Sequence, residues 1–171
     1  MFSTFDTSVS GLTAERVRLS IIANNIANMH STRNEFGERE PYARRLPVFQ
    51  PGTPGSFNEM LGVHVTEIVE SGEAPRLVFE PGHPDAIQDS DFYKTDTSGQ
   101  ITDKPLDEYS NMQPLDLAQL AAEKRGYVEY PNVHPSREMA DAVLASRAYE
   151  ANVTVISVTK TLINQSLRII A

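Results

Sequence analysis

Cysteine is absent from the 171 residues, which excludes disulfides and thiolate metal sites and leaves the redox compartment unread. Tryptophan is absent too. Aromatics make up only 8% against 40% hydrophobic residues, so a large compact core is not strongly indicated, and the length suits one ordinary domain or two small ones. Cations are scarce: 15 Lys and Arg face 23 Asp and Glu, and the net charge of −8 argues against non-specific nucleic-acid binding, which needs clustered Lys and Arg. No apolar run reaches the ~18 residues of a membrane-spanning helix. The start, "MFSTFDTSVS", has neither the basic nor the long apolar region of a Sec signal peptide. Together these absences predict a cytoplasmic protein, unless export takes another route.

Catalytic motifs are missing as well. There is no G-x-S-x-G, P-loop or GxGxxG, and His30, His64, His83 and His134 include no pair at the helical spacing a metal needs. In "PGHPDA" (81–86), His83 and Asp85 could be a base or a metal ligand; the preferred reading is a rigid double-proline turn closed by the aspartate. The expectation is no enzyme, no cofactor and no metal.

Proline and glycine are distributed unevenly. Residues 3–29 hold one Gly and no Pro, residues 136–171 hold neither, and all 11 Pro lie between Glu35 and Pro135. This predicts a helix, a punctuated centre and a second helix. Both ends repeat at 3.5 residues. The first seam runs Phe5, Val9, Leu12, Arg16, Leu19, Ala23, Ile26, His30. The second runs Met139, Ala142, Ser146, Tyr149, Val153, Ile156, Lys160, Ile163, Leu167, Ile170. The second helix carries another apolar series, Leu144, Ala148, Ala151, Val155, Val158, Leu162 and Ile169, on roughly its opposite side, so it needs two partners. The β-branched stretch 153–158 leaves a strand as the alternative there.

The centre reads as short strands. Residues 63–69 and 75–80 form a plausible hairpin through a turn at 71–74, and 43–50 offers a third, proline-interrupted edge strand. Residues 51–56 read as a loop. Residues 85–113 read as an extended or poorly ordered acidic excursion. Residues 114–126 read as a short helix with Leu115, Leu117, Leu120 and Ala121 inward and Gly126 as its stop. Residues 127–135 lead, extended, into the long helix, which starts at Pro135 or is capped by Ser136.

Two polar clusters interrupt the apolar helices. Asn24, Asn25 and Asn28 in "IIANNIANMH" either fix register at an interface between subunits or merely end the helix near Ser31; the interface is preferred. In "RAYEANV" (147–153), Arg147 and Glu150 form either a local ion pair or a register-setting cluster, and both readings stay open.

"SGLTAERVRLSIIANNIANMHSTR" (10–33) resembles the N-terminal signature of bacterial flagellar rod and hook proteins, and "SREMADAVLASRAYEANVTVISVTKTLINQSLRII" (136–170) resembles the matching C-terminal signature. The Glu-Met pair, the Arg-Ala-Tyr-Glu-Ala-Asn block, "YVEYPNV" (127–133) and "RLVFEPGHPDA" (76–86) are similar to the proximal-rod, FlgC-type branch of that family. Departures are His134, the run Met29, His30, Ser31, and residues 87–126, which look like an insertion.

The resemblance implies an α+β fold. Its long terminal helices (1–33 and 136–171) pair as an antiparallel coiled coil, beside a small central β-hairpin region (34–86 and 127–135) and an acidic loop insertion with a short helix (87–126). It implies a structural subunit polymerising helically into the proximal part of the hollow drive shaft in the basal body, and terminal helices partly disordered before assembly. Another axial rod or hook-junction protein, or a soluble coiled-coil adaptor, is the alternative. Implied partners are copies of itself, the rod proteins FlgB, FlgF and FlgG, the rod-base protein FliE, and the flagellar type III export apparatus, with no nucleic acid and no membrane insertion. Assembly contacts fall to Leu12, Leu19, Asn24, Asn25, Ile26 and Asn28 on the first helix. On the second they fall to Met139, Arg147, Tyr149, Glu150 and Asn152, with Val155, Val158 and Leu162 on its other side. Phe5 and Val9 resemble an export-gate element, and as seam residues they also have a packing role.

Overall fold

A computed structural model describes residues 2–52, 62–95 and 101–170. Its contacts group the chain into two units: residues 1–29, 43–73 and 132–171, and residues 30–42 and 74–131.

The first unit holds two long helices, α1 (Phe2–Ala27) and α3 (Pro135–Ile170), and a two-stranded antiparallel sheet of β1 (Arg45–Pro51) and β2 (Val63–Glu70). The helix α1 stops at Ala27, short of the expected His30 to Arg33. The Asn28 side-chain amide donates to the Asn24 carbonyl at 2.9 Å, and the Met29 N–H turns to Ile26 at 3.4 Å. An amide that satisfies the backbone locally competes with the next helical turn. The long helix α3 starts at Pro135, whose fixed φ suits the first helical position; the His134 carbonyl accepts from the N–H groups of Arg137 and Glu138. Residues 153–158 are helical, not a strand, and β-branching there is overridden by the unbroken helix on either side.

The two helices pack along a stripe displaced by one residue from the expected seam on α1. Ser8, Ala14, Ile22 and Asn25 are buried there with Ile21, whereas Phe5, Val9, Arg16, Ala23 and His30 of the expected seam are exposed. Gly11 lies against Asn152, Arg18 reaches Asp141 and Asn25 meets Glu138, so sequence numbers rise along one helix as they fall along the other. The displacement follows from these polar and small residues, which outweigh the larger apolar ones in setting the contact face.

The hairpin expected between 63–69 and 75–80 does not form. The strand β2 pairs with β1 instead, from Arg45 opposite Glu70 to Pro51 opposite Val63, with a register shift at Val48 and Phe49. Side chains of α1 select this pairing. Asn25 exchanges two hydrogen bonds with the backbone of Arg45, and Ser10 Oγ accepts from the Val63 N–H at 3.1 Å. The rise of α1 from Ser10 to Asn25 is about 22 Å at 1.5 Å per residue, close to the roughly 20 Å spanned by β1. The loop expected at 51–56 lies outside the described residues beyond Gly52.

In the second unit β3 (Arg76–Phe79) pairs antiparallel with β6 (Tyr127–Tyr130), placing Val78 opposite the fully buried Val128. Ile87 continues the ladder on the far side of β6, through bonds of 2.8 Å and 3.0 Å with Tyr127 and Gly126. Gly126 has φ +80°, and a Cβ there would stand 3.0 Å from the Phe79 ring, so glycine both stops the preceding helix and admits the ring. The described residues of the 85–113 segment, 85–95 and 101–113, are not an extended excursion. They fold into two short 3-10 turns (Asp89–Asp91 and Asp107–Tyr109) and a small ladder of β4 (Tyr93–Thr95) with β5 (Ile101–Pro105). Phe92 is buried with Leu117 and Ala121 of α2 (Pro114–Lys124), with Ile87, Tyr93, Tyr109 and Leu120 around them. One aromatic side chain thus anchors a segment whose composition looks too polar to fold. Leu115, expected inward, is 70% exposed.

Candidate assembly interface

The chemistry of the first unit is concentrated where β1 meets the helix pair. Asn25 is 1% exposed. Its amide oxygen accepts from the Arg45 N–H at 3.0 Å, and its amide nitrogen donates to the Arg45 carbonyl at 2.9 Å and to Glu138 at 3.2 Å. Glu138, also 1% exposed, receives the Arg44 guanidinium through contacts of 2.7 Å and 2.6 Å. Arg18 and Asp141 extend the cluster at 3.4 Å. Beside it lies an open groove of about 300 Å³ with Ile21, Ile22, Leu46, Pro47 and Phe49 on its walls. Polar groups so deeply buried must find partners, and here each does.

The expected assembly residues separate into three groups. Asn25 turns inward, while Asn24 is exposed and Asn28 bonds back to it. Leu12, Leu19 and Ile26 are half-buried, and Asn152 is half-buried against Gly11. Met139, Tyr149, Val155, Val158 and Leu162 are exposed, as are Phe5 and Val9. Arg147 and Glu150 form an exposed pair at 3.2 Å within one turn of α3. Exposure is the salient property of α3: Leu144, Val155, Val158 and Leu162 form a stripe that the described residues leave open, Val158 and Leu162 at 53% each. Single exposed apolar side chains are ordinary, but a continuous stripe of them marks an interaction site. The side chains of Ile169 and Ile170, at the end of the two series, lie outside the described set.

Sequence reasoning missed Arg18, Arg44, Glu138 and Asp141. A signal was present: Gly11, Arg18 and Asn25 stand one heptad apart, as do Glu138, Ala145 and Asn152, so small or polar residues recur at the period of a packing face.

In the second unit Asp85 is the organising group. Thr32 donates to it at 2.7 Å, and Arg33 binds it through Nε at 2.8 Å and through Nη2. The hydrogen bonds from Arg33 and then Thr32 hold the carboxyl down at about 2. The Asp85 N–H donates to His83 Nδ1 at 3.1 Å, and the His83 ring stands edge-on to Tyr130. Both Asp85 oxygens are therefore occupied, which makes it a tether between the turn at 81–86 and residues 32–33. No group of three or more possible metal ligands occurs among the described residues, and no described helix is long and apolar enough to cross a membrane.

Comparison with known proteins matches residues 5–34 to the family model "Flagella basal body rod protein" and residues 124–169 to "Flagellar basal body rod FlgEFG protein C-terminal". The chain is 32% identical to the flagellar basal-body rod protein FlgC of Borreliella burgdorferi, over 99% of this chain and 97% of that one. It is 31% identical to FlgC of Bacillus subtilis over 98% and 97%, and 32% identical to FlgC of Yersinia enterocolitica over 98% and 96%. With both terminal regions matched by rod-family models and relatives aligned over nearly their whole length, the chain belongs to the FlgC family of flagellar basal-body rod proteins and is a structural subunit of the basal-body rod.

Proposed function

We propose that this subunit polymerises helically in the proximal part of the rod, with α1 and α3 pairing as an antiparallel coiled coil and the outer stripe of α3 meeting neighbouring subunits. The observation that carries the reading is that stripe, from Leu144 through Val155 and Val158 to Leu162, exposed on a helix already packed on its other side. A patch that meets a different patch on the next copy generates an open filament or layer instead of a closed dimer.

The neighbours are copies of this chain and the other rod proteins FlgB, FlgF and FlgG, with FliE at the rod base. Passage through the type III export apparatus, with Phe5 and Val9 read at the gate, is consistent with their exposure on the first turns of α1. The second unit carries twice as many carboxylates as Lys and Arg; its segment 87–126 provides an acidic surface for contacts beyond the helical pair.

The test is a double substitution, Val158→Asp with Leu162→Asp, expressed in cells lacking their own copy. The expected outcome is a helical, monomeric protein by circular dichroism and sedimentation that is missing from isolated basal bodies, with motility lost. Normal incorporation would remove the outer stripe from the interface.

A further inference from the structure

The pairing of α1 with α3 has a definite register. Gly11 faces Asn152 and Asn25 faces Glu138, and each pair of positions on one helix is two heptads apart. Midway, Arg18 comes opposite Ala145, which is fully buried, and passes over it to reach Asp141. None of the three layers is a contact between two large apolar side chains. Gly11 has no side chain, and a Cβ there would stand 2.9 Å from the Asn152 amide. Continued to the end of α1, the same pairing puts Phe2 opposite Thr161, so α3 from Leu162 onward runs past its partner. At 1.5 Å per residue this overhang is about 13 Å long. Within it Leu167, which belongs to the other apolar series of α3, is 60% exposed, while Leu162 belongs to the outer stripe.

By apolar content a different alignment is favoured: a one-heptad slide exchanges 136–142, whose one large apolar residue is Met139, for 162–168, which carry Leu162, Ile163 and Leu167. A slide of one heptad would set Gly11 opposite Thr159 and Phe2 opposite Arg168, covering most of the overhang. The same slide would bring Asn25 opposite Ala145 and carry Glu138 past the end of α1 at Ala27, taking its carboxylate away from Asn25 and from Arg44, which is 5% exposed beside β1. Polar groups in a helix seam discriminate between registers because each wrong one strands a buried donor or acceptor. Asn25 is in addition bonded to both backbone groups of Arg45, so β1 holds the same end of the pair.

We propose that Asn25, Arg44 and Glu138 form a register lock that holds α3 against α1 one heptad short of the alignment that would pair the more apolar 162–168 with α1, keeping the end of α3 from Leu162 onward open. The consequence for assembly, that the uncovered end serves a neighbouring subunit, rests on the rod-subunit reading; the lock itself does not. Its three residues act as positioning residues, and their effect is on alignment more than on whether the helices pair.

The absence of cysteine lets disulfide formation report register in the purified chain, without polymerisation. One reporter carries Gly11→Cys with Asn152→Cys and reads the observed register. A second carries Gly11→Cys with Thr159→Cys, and Asn152→Ser to leave room for the new Cβ, and reads the slide. Each is made with the lock intact and with Asn25→Leu, Arg44→Met and Glu138→Leu together, an apolar replacement of similar volume that leaves no charge unpaired. With the lock intact the first reporter closes and the second gives only traces. With the lock replaced the second rises by about tenfold or more, as expected when at least one stranded polar pair no longer opposes the slide. A locked and an unlocked chain that close only the first reporter would overturn the proposal, as would a locked chain that closes both equally. Should the triple variant not fold, Asn25→Leu alone must raise the second reporter, and no rise overturns the lock. Because the readout is intramolecular, a negative result here leaves the assembly interface standing, and failed assembly leaves the lock standing.

Discussion

A single buried amide, Asn25, joins three parts of the first unit: its own helix, the first residue of β1 and the first turn of α3. The partners lie far apart in sequence, and that is why the residue stands out as anomalous in the sequence while its role does not. Arg44 supplies the charge that makes Glu138 tolerable at 1% exposure. Removing one member of a buried ion pair strands the other. Arg44→Ala is therefore expected to cost about 3–5 kcal/mol, against about 1 kcal/mol or less for Arg147→Ala, whose pair with Glu150 is exposed. Urea unfolding of the two variants measures the contrast, and equal losses would deny the cluster its role. Asp85 makes a second prediction at this scale. Its pKa of about 2 lies below the ordinary 3.8. The folded state therefore binds fewer protons than the unfolded one as pH falls between those values. Its stabilisation is complete above about pH 4 and is lost as pH drops toward 2. Asp85→Asn should flatten the acid limb of a stability-against-pH curve, and an unchanged limb would contradict the tether. The turn itself was legible from two prolines flanking His83; its anchor on Thr32 and Arg33, some fifty residues away, was not.

Among the elements, helices were easier to read than strands. The freedom of the ends from proline, with 3.5-residue periodicity, is enough to place α1 and α3. The phase of the seam was misread because adjacent heptad positions on α1 carry two candidate stripes, and the fully buried one mixes Ile21 and Ile22 with Ser8, Ala14 and Asn25, while Leu12, Leu19 and Ile26 of the expected seam are only half-buried. Strand partners are set by distant groups: β2 and β3 look like a hairpin across 71–74, yet Ser10 and Asn25 of α1 hold β1 beside β2. The segment 87–113 looked like solvated chain by charge, but Phe92 and Tyr109 give it a core on α2. Deleting it would remove that core and not merely a loop. Within α2 the contrast is sharp. Leu117→Ala, at 1% exposure, is expected to cost about 2–5 kcal/mol. Leu115→Ala, at 70%, should fall within about 0.5 kcal/mol of the parent. Thermal melts of the two variants check this, and similar losses would mean that Leu115 packs.

For the whole molecule, composition excluded much and motif identified the rest. The apolar stripe on α3 and the uncovered end past Phe2 ask for neighbours. An account in which a folded helix pair is held in register, and assembly completes only its outer face, differs from one in which both terminal helices order from scratch on docking. The polar cluster favours the first for the end of the pair near Asn25 and leaves the second for the overhang. The most direct measurement is a density map of the isolated basal body at side-chain resolution. The account predicts Val155, Val158, Leu162 and Leu167 buried against neighbouring subunits, with Asn25 still on Glu138 in the same chain. A map in which that stripe faces the open channel or solvent would contradict it.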